Sequence, residues 1–215
     1  MPLSNGQPPT PARRRGRPVG SDSAETRNRI LLAARKVINE RGYQAATFQA
    51  IAVAAGLSRP TLHYYFATRE EIYAQLVADA SAVISDCIDK AQRHETLVEQ
   101  LSALVTAIHE AYYRDRSAFA FLVSARLESS RNPELRHEGG SDLRAFLATL
   151  VAAAEVRGEL TAEVAQGPVV DMLHSVLWGV AFYAGFVDDS ADMYVITKQL
   201  NQVLSHGLLG KLTVP

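Results

Sequence analysis

The sequence predicts an all-α fold of about nine helices, with a small front bundle and a larger back bundle. Three observations carry this. Apolar residues recur at helical spacing from Ser23 almost to the end. Cap and stop residues punctuate that periodicity at regular intervals. No run alternates apolar and polar residues between hairpin turns, so no strand is expected. A chain of 215 residues, 47% hydrophobic and 21% charged, is ordinary for a globular protein and long enough to bury a core without staples.

Residues 1–22 hold five of the nine prolines and no aromatic residue, and read as a disordered arm. Within it lies the basic run Arg13, Arg14, Arg15, Gly16, Arg17, Pro18. Ile30, Ala34, Val37 and Ile38 then fall on one face of a first helix, and Gly42 is its natural C-cap. Thr47 caps a second helix whose face is Phe48, Ile51, Ala52 and Ala55, ended by Gly56. Ser58 caps a third, with Pro60 tolerated in its first turn. Thr68 and Glu71 have capping-box spacing and open a long helix bearing Ile72, Leu76, Ala80, Val83, Ile84 and Cys87.

The same grammar continues behind it. Leu97, Leu101, Leu104, Val105, Ile108 and Tyr112 form one stripe, and Phe119, Leu122, Val123 and Leu127 a shorter one. Asn132-Pro133 and Gly139-Gly140 interrupt the chain. Leu143, Phe146, Leu147, Leu150, Val151 and Ala154 form the next stripe. Gly167-Pro168 opens a helix apolar nearly all round, through Phe186, and Ile196, Leu200, Val203, Leu204 and Leu208 form the last. The run Met172–Val187 is shorter than the ~20 residues of a membrane span and is broken by His174 and Ser175, so it reads as a buried helix, with no membrane partner expected.

Charge divides the chain. Residues 1–76 carry 11 Lys+Arg against 5 Asp+Glu, a net +6; residues 77–215 carry 11 against 18, a net −7, and the two sum to the overall −1. A basic front implies a polyanionic partner, which charge alone leaves open among DNA, RNA and membrane. One cysteine, Cys87, excludes an intrachain disulfide and a multi-thiolate zinc site. That fits a reducing cytoplasm, where the protein is expected to reside; the first 20 residues do not form a signal peptide. The six histidines show no metal-binding spacing, and no nucleophile elbow, phosphate loop or Cys–His pair stands out. No cofactor, metal or catalytic residue is expected, and the chain does not read as an enzyme.

The chemistry concentrates between Thr47 and Arg69. Two short helices flank the Gly56-Leu57 turn, with small Ala52 where they cross. This is helix-turn-helix grammar. The second of the two exposes Arg59, Thr61, His63 and Tyr64, which offer hydrogen-bond donors and no acid to repel phosphate. Such a helix enters a major groove with its N-terminal residues at the base edges.

The ordered text Ile30-Leu31-Leu32-Ala33-Ala34, Gly42-Tyr43, Thr47-Phe48, Ile51-Ala52, Ala55-Gly56-Leu57-Ser58, Leu62-His63-Tyr64-Tyr65-Phe66 and Thr68-Arg69-Glu70-Glu71-Ile72 resembles the DNA-binding domain of the TetR (tetracycline-repressor-like) family, over residues 25–76. The resemblance implies a homodimeric transcriptional regulator, a repressor released from a palindromic operator by a small-molecule effector. It implies domains at 1–22 (arm), 23–67 (DNA-binding) and 68–215 (effector-binding and dimerising). It assigns Thr47 to the helix cap and to phosphate, and Ser58, Arg59, Pro60 and Thr61 to the front of the recognition helix. His63 and Tyr64 match DNA-contacting positions, and Arg69 matches a phosphate-binding basic residue that is more often Lys. His63 stands where Tyr is commonest and Pro60 where Gly, Ala or Lys is common, so the preferred base sequence stays open. Arg-Gly-Arg-Pro also resembles an AT-hook core, so Arg13, Arg14, Arg15 and Arg17 are candidates for a minor-groove arm.

Tyr112, Tyr113, Phe119, Leu122, Phe146, His174, Trp178 and Phe182 are the candidate ligand pocket. Singly each reads as core; the family resemblance is what makes them a pocket, and it would take a hydrophobic or amphipathic effector. The apolar helix through Phe186 and the last helix are the candidate dimer interface, packed on a second copy as a four-helix bundle. Two other classes compete: an architectural DNA-binding protein that uses the arm without an effector, and a helical enzyme.

Overall fold

The computed structural model describes residues 19–135, 142–160, 165–187 and 193–205, with side chains from Ser23 onward. The described residues form nine α-helices and two single-turn 3-10 helices, with no strand. α1 spans Val19–Arg41, α2 Phe48–Ala54, α3 Arg59–Tyr65 and α4 Arg69–Ala91. α5 spans Leu97–Arg114, α6 Arg116–Arg131, α7 Asp142–Val156, α8 Gln166–Phe186 and α9 Met193–Val203. The 3-10 turns are Tyr43–Ala45 and Pro133–Leu135. α1 therefore begins at Val19, inside the stretch expected as arm. Leu208 and the arm's arginines lie outside the described residues.

Local chemistry sets the boundaries of the front helices. Thr47 Oγ1 accepts from Ala50 N at 3.1 Å and Ser58 Oγ from Thr61 N at 3.2 Å. Each bond satisfies an orphan amide of a first turn and contributes ~1 kcal/mol. Gly56 at φ 63° makes the turn between α2 and α3, a conformation open to glycine at little cost. At the head of α4, Thr68 Oγ1 accepts from Glu71 N, but the Glu71 carboxylate reaches Ala67 N at 2.8 Å rather than closing on Thr68. The reciprocal box forms instead at Thr96 and Glu99, the start of α5.

Two cores result. The front core gathers Ile30, Ala34 and Ile38 of α1, Ile51 and Leu62 of α2 and α3, Phe66, and Ile72, Tyr73 and Leu76 from the first half of α4. It also takes in Phe121 and Leu135 from the α6 region. The back core gathers Cys87 and Ile88 from the second half of α4 with the apolar faces of α5, α7 and α8. α4 is thus a shared spine, and α6 reaches into the front core as well.

α8 differs from the expected buried helix. At 21 residues it is long and apolar enough to cross a membrane by length and composition. Val170, Leu173, Leu177 and Ala184 are buried, whereas Phe182, Tyr183 and Phe186 face outward. Periodicity could not separate burial in one chain from burial against a second, because both require the same apolar residues.

Candidate nucleic-acid interface

The front helices expose a set of polar residues. Ser58, Arg59, Pro60, Thr61, His63 and Tyr64 of α3 and its cap are all exposed, and so are Thr47 and Gln49 at the head of α2. Leu62 and Phe66 point inward and fix the helix on the front core. Arg59 makes no ion pair among the described residues, so its guanidinium is available to a base edge. Tyr64 is 82% exposed, its ring edge-on to Tyr65 at 5.1 Å. Ser58 Oγ and Thr61 Oγ1 lie 2.7 Å apart, which ties the Thr61 hydroxyl to the cap.

His63 and Arg69 are held more tightly than free contacts would be. The His63 ring stacks on Phe48 at 4.2 Å, bridging α3 to α2. Arg69 turns its guanidinium over the Tyr43 ring, 4.1 Å from the centroid, and lies 3.3 Å from Glu70. Glu70 in turn accepts from Tyr43 Oη at 3.1 Å. Its own backbone amide, Tyr43 and Arg69 hold its carboxyl below the usual range, while burial pushes the Tyr43 phenol up. Arg69 therefore sits at the surface in a fixed pose instead of extending into solvent.

Sequence reading missed Arg27. Its Nη1 donates to the carbonyl of Tyr65 at 3.1 Å, at the C-terminal end of α3, and its guanidinium lies 4.1 Å over the Phe66 ring. It locks the orientation of α3 against α1. No local pattern signals it, since the partner is 38 residues away.

The structure brings four of the eight pocket candidates together and sets the others apart from them. Phe119 and Phe146 are packed in the back core, with Tyr112 and Leu122 against it. Tyr113 is 61% exposed and Phe182 also lies at the surface. His174 and Trp178 join each other: the indole Nε1 donates to His174 Nε2 at 2.9 Å. Burial, followed by Arg126 and Arg144, lowers the His174 pKa, in line with an Nε2 that accepts from the indole. None of the eight lines the cleft of about 360 Å³ between α5 and α9, which is walled by Thr106, His109, Tyr194, Thr197, Lys198 and Asn201. There the Thr197 hydroxyl donates to Met193 O at 2.8 Å and lies 3.1 Å from His109 Nδ1. The stripe pattern missed this cleft because residue types such as Thr106, His109, Lys198 and Asn201 form no apolar stripe, although their carbon atoms supply most of the lining.

Among the described residues no group of three His, Cys, Asp or Glu could hold a metal. Cys87 is buried, and burial pushes its thiol up to about 11, which makes it a core residue.

Residues 30–76 match the profile of the family described as bacterial regulatory proteins, tetR family. The chain is similar to the HTH-type transcriptional repressor BepR of Brucella suis, 29% identical over 171 residues, 74% of this chain and 80% of that protein. It is similar to the fatty acid metabolism regulator protein of Bacillus subtilis, 23% identical over 170 residues, 79% of this chain and 84% of that one. Its fold is similar to that of FadR from Bacillus subtilis in complex with stearoyl-CoA, with a TM-score of 0.69 at 17% identity, covering 84% of this chain and 98% of that one.

Proposed function

We propose, from the match of residues 30–76 to the tetR family of bacterial regulatory proteins, that the chain is a homodimeric repressor of that family that binds an inverted-repeat operator in double-stranded DNA. The single observation that supports this most is the face of α3: six exposed residues, an unpaired arginine and no acid, on a helix fixed by Ser58, Leu62, Phe66 and Arg27. Phosphate contacts supply most of the affinity in such a complex, and side chains at base edges choose the site. Arg59, Thr61, His63 and Tyr64 are the base-edge candidates. Thr47, Ser58 and Arg69 are the phosphate candidates. The arm of Arg13, Arg14, Arg15 and Arg17 adds sequence-tolerant affinity.

Residues 68–215 carry the effector and dimer functions in this reading, with α4 as their link to the DNA-binding bundle. A small hydrophobic or amphipathic ligand taken up by the back half releases the DNA. The relative solved with stearoyl-CoA supports an amphipathic, anionic ligand class. Ligand and DNA then weaken each other's binding reciprocally, by ~1–3 kcal/mol. The place of action is the bacterial cytoplasm.

Selection of bound duplexes from a random pool, at fixed near-physiological salt, tests the proposal. An enriched inverted repeat is expected. Binding that enriches nothing and vanishes as salt rises would overturn it in favour of an arm-driven architectural protein.

A further inference from the structure

Glu128 is the one charged side chain in the buried set of described residues, 7% exposed. It sits in the last turn of α6, in the half assigned to the effector. Its Oε1 accepts from the backbone amide of Tyr43 at 3.3 Å, and its Oε2 from Asn132 Nδ2 at 2.9 Å. Among the described residues it pairs with no cation. Buried glutamates are rare without a partner charge, and an unpaired buried charge is costly. Packing alone would be served better by an apolar side chain.

What the carboxylate holds is a turn of the other core. Gly42, at φ 79°, brings the backbone so close that a Cβ there would lie 3.2 Å from Glu128 Oε1. The Tyr43 ring then stands edge-on to Tyr73 at 4.7 Å, carries the Arg69 guanidinium on its face, and bonds Glu70 through its hydroxyl. Tyr73 meets Phe121 of α6 at 5.8 Å. One residue, Tyr43, thus joins the end of α6 through its backbone amide to the head of α4 through its side chain.

We propose that Glu128 is a positioning residue for DNA binding: from α6 its carboxylate fixes the Gly42–Tyr43 turn and, through the Tyr43 ring, the pose of Arg69 at the head of α4. The inference rests on the regulator reading above. The opposite end of α6 is anchored to α8, where Arg116 donates to the carbonyls of Ala184 and Val187 at 3.3 Å each. The two anchor points, Arg116 and Glu128, are twelve residues apart on α6, roughly 18 Å along its axis. The 3.3 Å bond to Tyr43 N is already at the long end for N–H···O, so a sub-ångström shift of α6 breaks it. Glu128 is therefore where a movement of the back half reaches a DNA-facing arginine.

Fluorescence anisotropy on the selected inverted repeat, over a series of salt concentrations and below the unfolding temperature, tests this on the full-length protein. Glu128→Ala is expected to weaken specific binding at least tenfold and to flatten the log–log salt slope by ~0.9 per protomer, the loss of one phosphate contact. Glu128→Gln keeps a carbonyl for the Tyr43 amide and is expected to bind within threefold of the unsubstituted protein. Leu150→Ala, in the back core, lowers the unfolding temperature without touching the turn, and is expected to bind DNA normally. Where Glu128→Ala does not fold, Asn132→Ala removes the carboxylate's second donor and is judged by the same criteria. Unchanged affinity and slope in the alanine variant, or equal losses in Leu150→Ala, would overturn the inference. Absence of specific binding by the unsubstituted protein would overturn the regulator reading itself, and the inference with it.

Discussion

Arg59 and Arg69 each stand at the first position of a helix, yet their surroundings give them different tasks. Arg59 has no ion pair and projects from a capped, exposed turn. A guanidinium so placed has the geometry to recognise a guanine edge bidentately, which is its role in the proposed complex. Arg59→Ala is therefore expected to cost ~1–3 kcal/mol on the selected site and to relax the preference at one base position. Equal losses on selected and random duplexes would show that it meets phosphate instead. Arg69 is held over Tyr43 beside Glu70. Arg69→Ala is expected to weaken all sequences alike, flatten the salt slope, and lower the unfolding temperature by the lost ring contact, ~0.5–1 kcal/mol. His174 makes a prediction about pH. Its Nε2 lone pair is occupied by the Trp178 N–H, and burial with Arg126 and Arg144 lowers its pKa below 6.5. The unfolded chain then binds this proton at a higher pH than the folded chain does. The stability His174 contributes is whole above pH 6.5 and is lost as pH falls through the folded value. Thermal unfolding from pH 7.5 to 5 is expected to fall more steeply for the unsubstituted protein than for His174→Gln; parallel curves would remove His174 from the account.

Helix α8 lies so close to α6 that Gly185 has no room for a side chain: a Cβ there would stand 2.8 Å from Ala120 Cα and 3.1 Å from Ala120 N. The obstacle is backbone, which cannot rotate away. Gly185→Ala is expected to push the helices apart and destabilise the protein by ~1–3 kcal/mol, read as a lowered unfolding temperature. A gain in stability, as at an open helical glycine, would contradict this crossing. The same pair of helices marks what sequence could reveal. Thr47, Ser58, Gly42 and Gly56 were legible because each acts on amides within four residues. The α3 face was legible because its apolar anchors, Leu62 and Phe66, are four apart. The Ala120–Gly185 crossing, Arg27 on Tyr65 and Glu128 on Tyr43 were not, because their partners lie 38 to 85 residues away. Phe119, Phe146, Tyr112 and Leu122 meet in the back core, whereas Tyr113 and Phe182 lie at the surface, for a related reason. Helical spacing marks which aromatics face inward, and facing inward is common to a packed core and a cavity wall. The α5–α9 cleft escaped because polar residues such as Thr197, Lys198 and Asn201 carry no apolar stripe.

The molecule as a whole presents an unfinished apolar surface beside a finished core. Phe182, 50% exposed, and Phe186, 43% exposed, stack on each other at 5.6 Å on α8, with Tyr183 exposed next to them. α9 leaves Tyr194, Val195 and Val203 outward while burying Met193 and Thr197. Large aromatics so clustered on a single chain mark a surface that meets another protein. A second copy satisfies it at no cost in specificity, since a two-fold axis brings like residues together. In the proposed dimer the same axis would set the two α3 helices for half-sites one turn apart, ~34 Å on B-form DNA. Placing carboxylates on this surface, as Phe182→Asp with Phe186→Asp, makes the buried interface costly while leaving each protomer's cores intact. Sedimentation at micromolar concentration is expected to show monomer for the double variant and dimer for the unsubstituted chain. Specific affinity for the inverted repeat is expected to fall by orders of magnitude, because one recognition helix alone keeps only half the contacts, whereas weak binding to random DNA persists through each protomer's own arginines. If the double variant stayed dimeric and bound the repeat unchanged, the interface would have to lie elsewhere on the chain, and the outward face of α8 would need a different occupant.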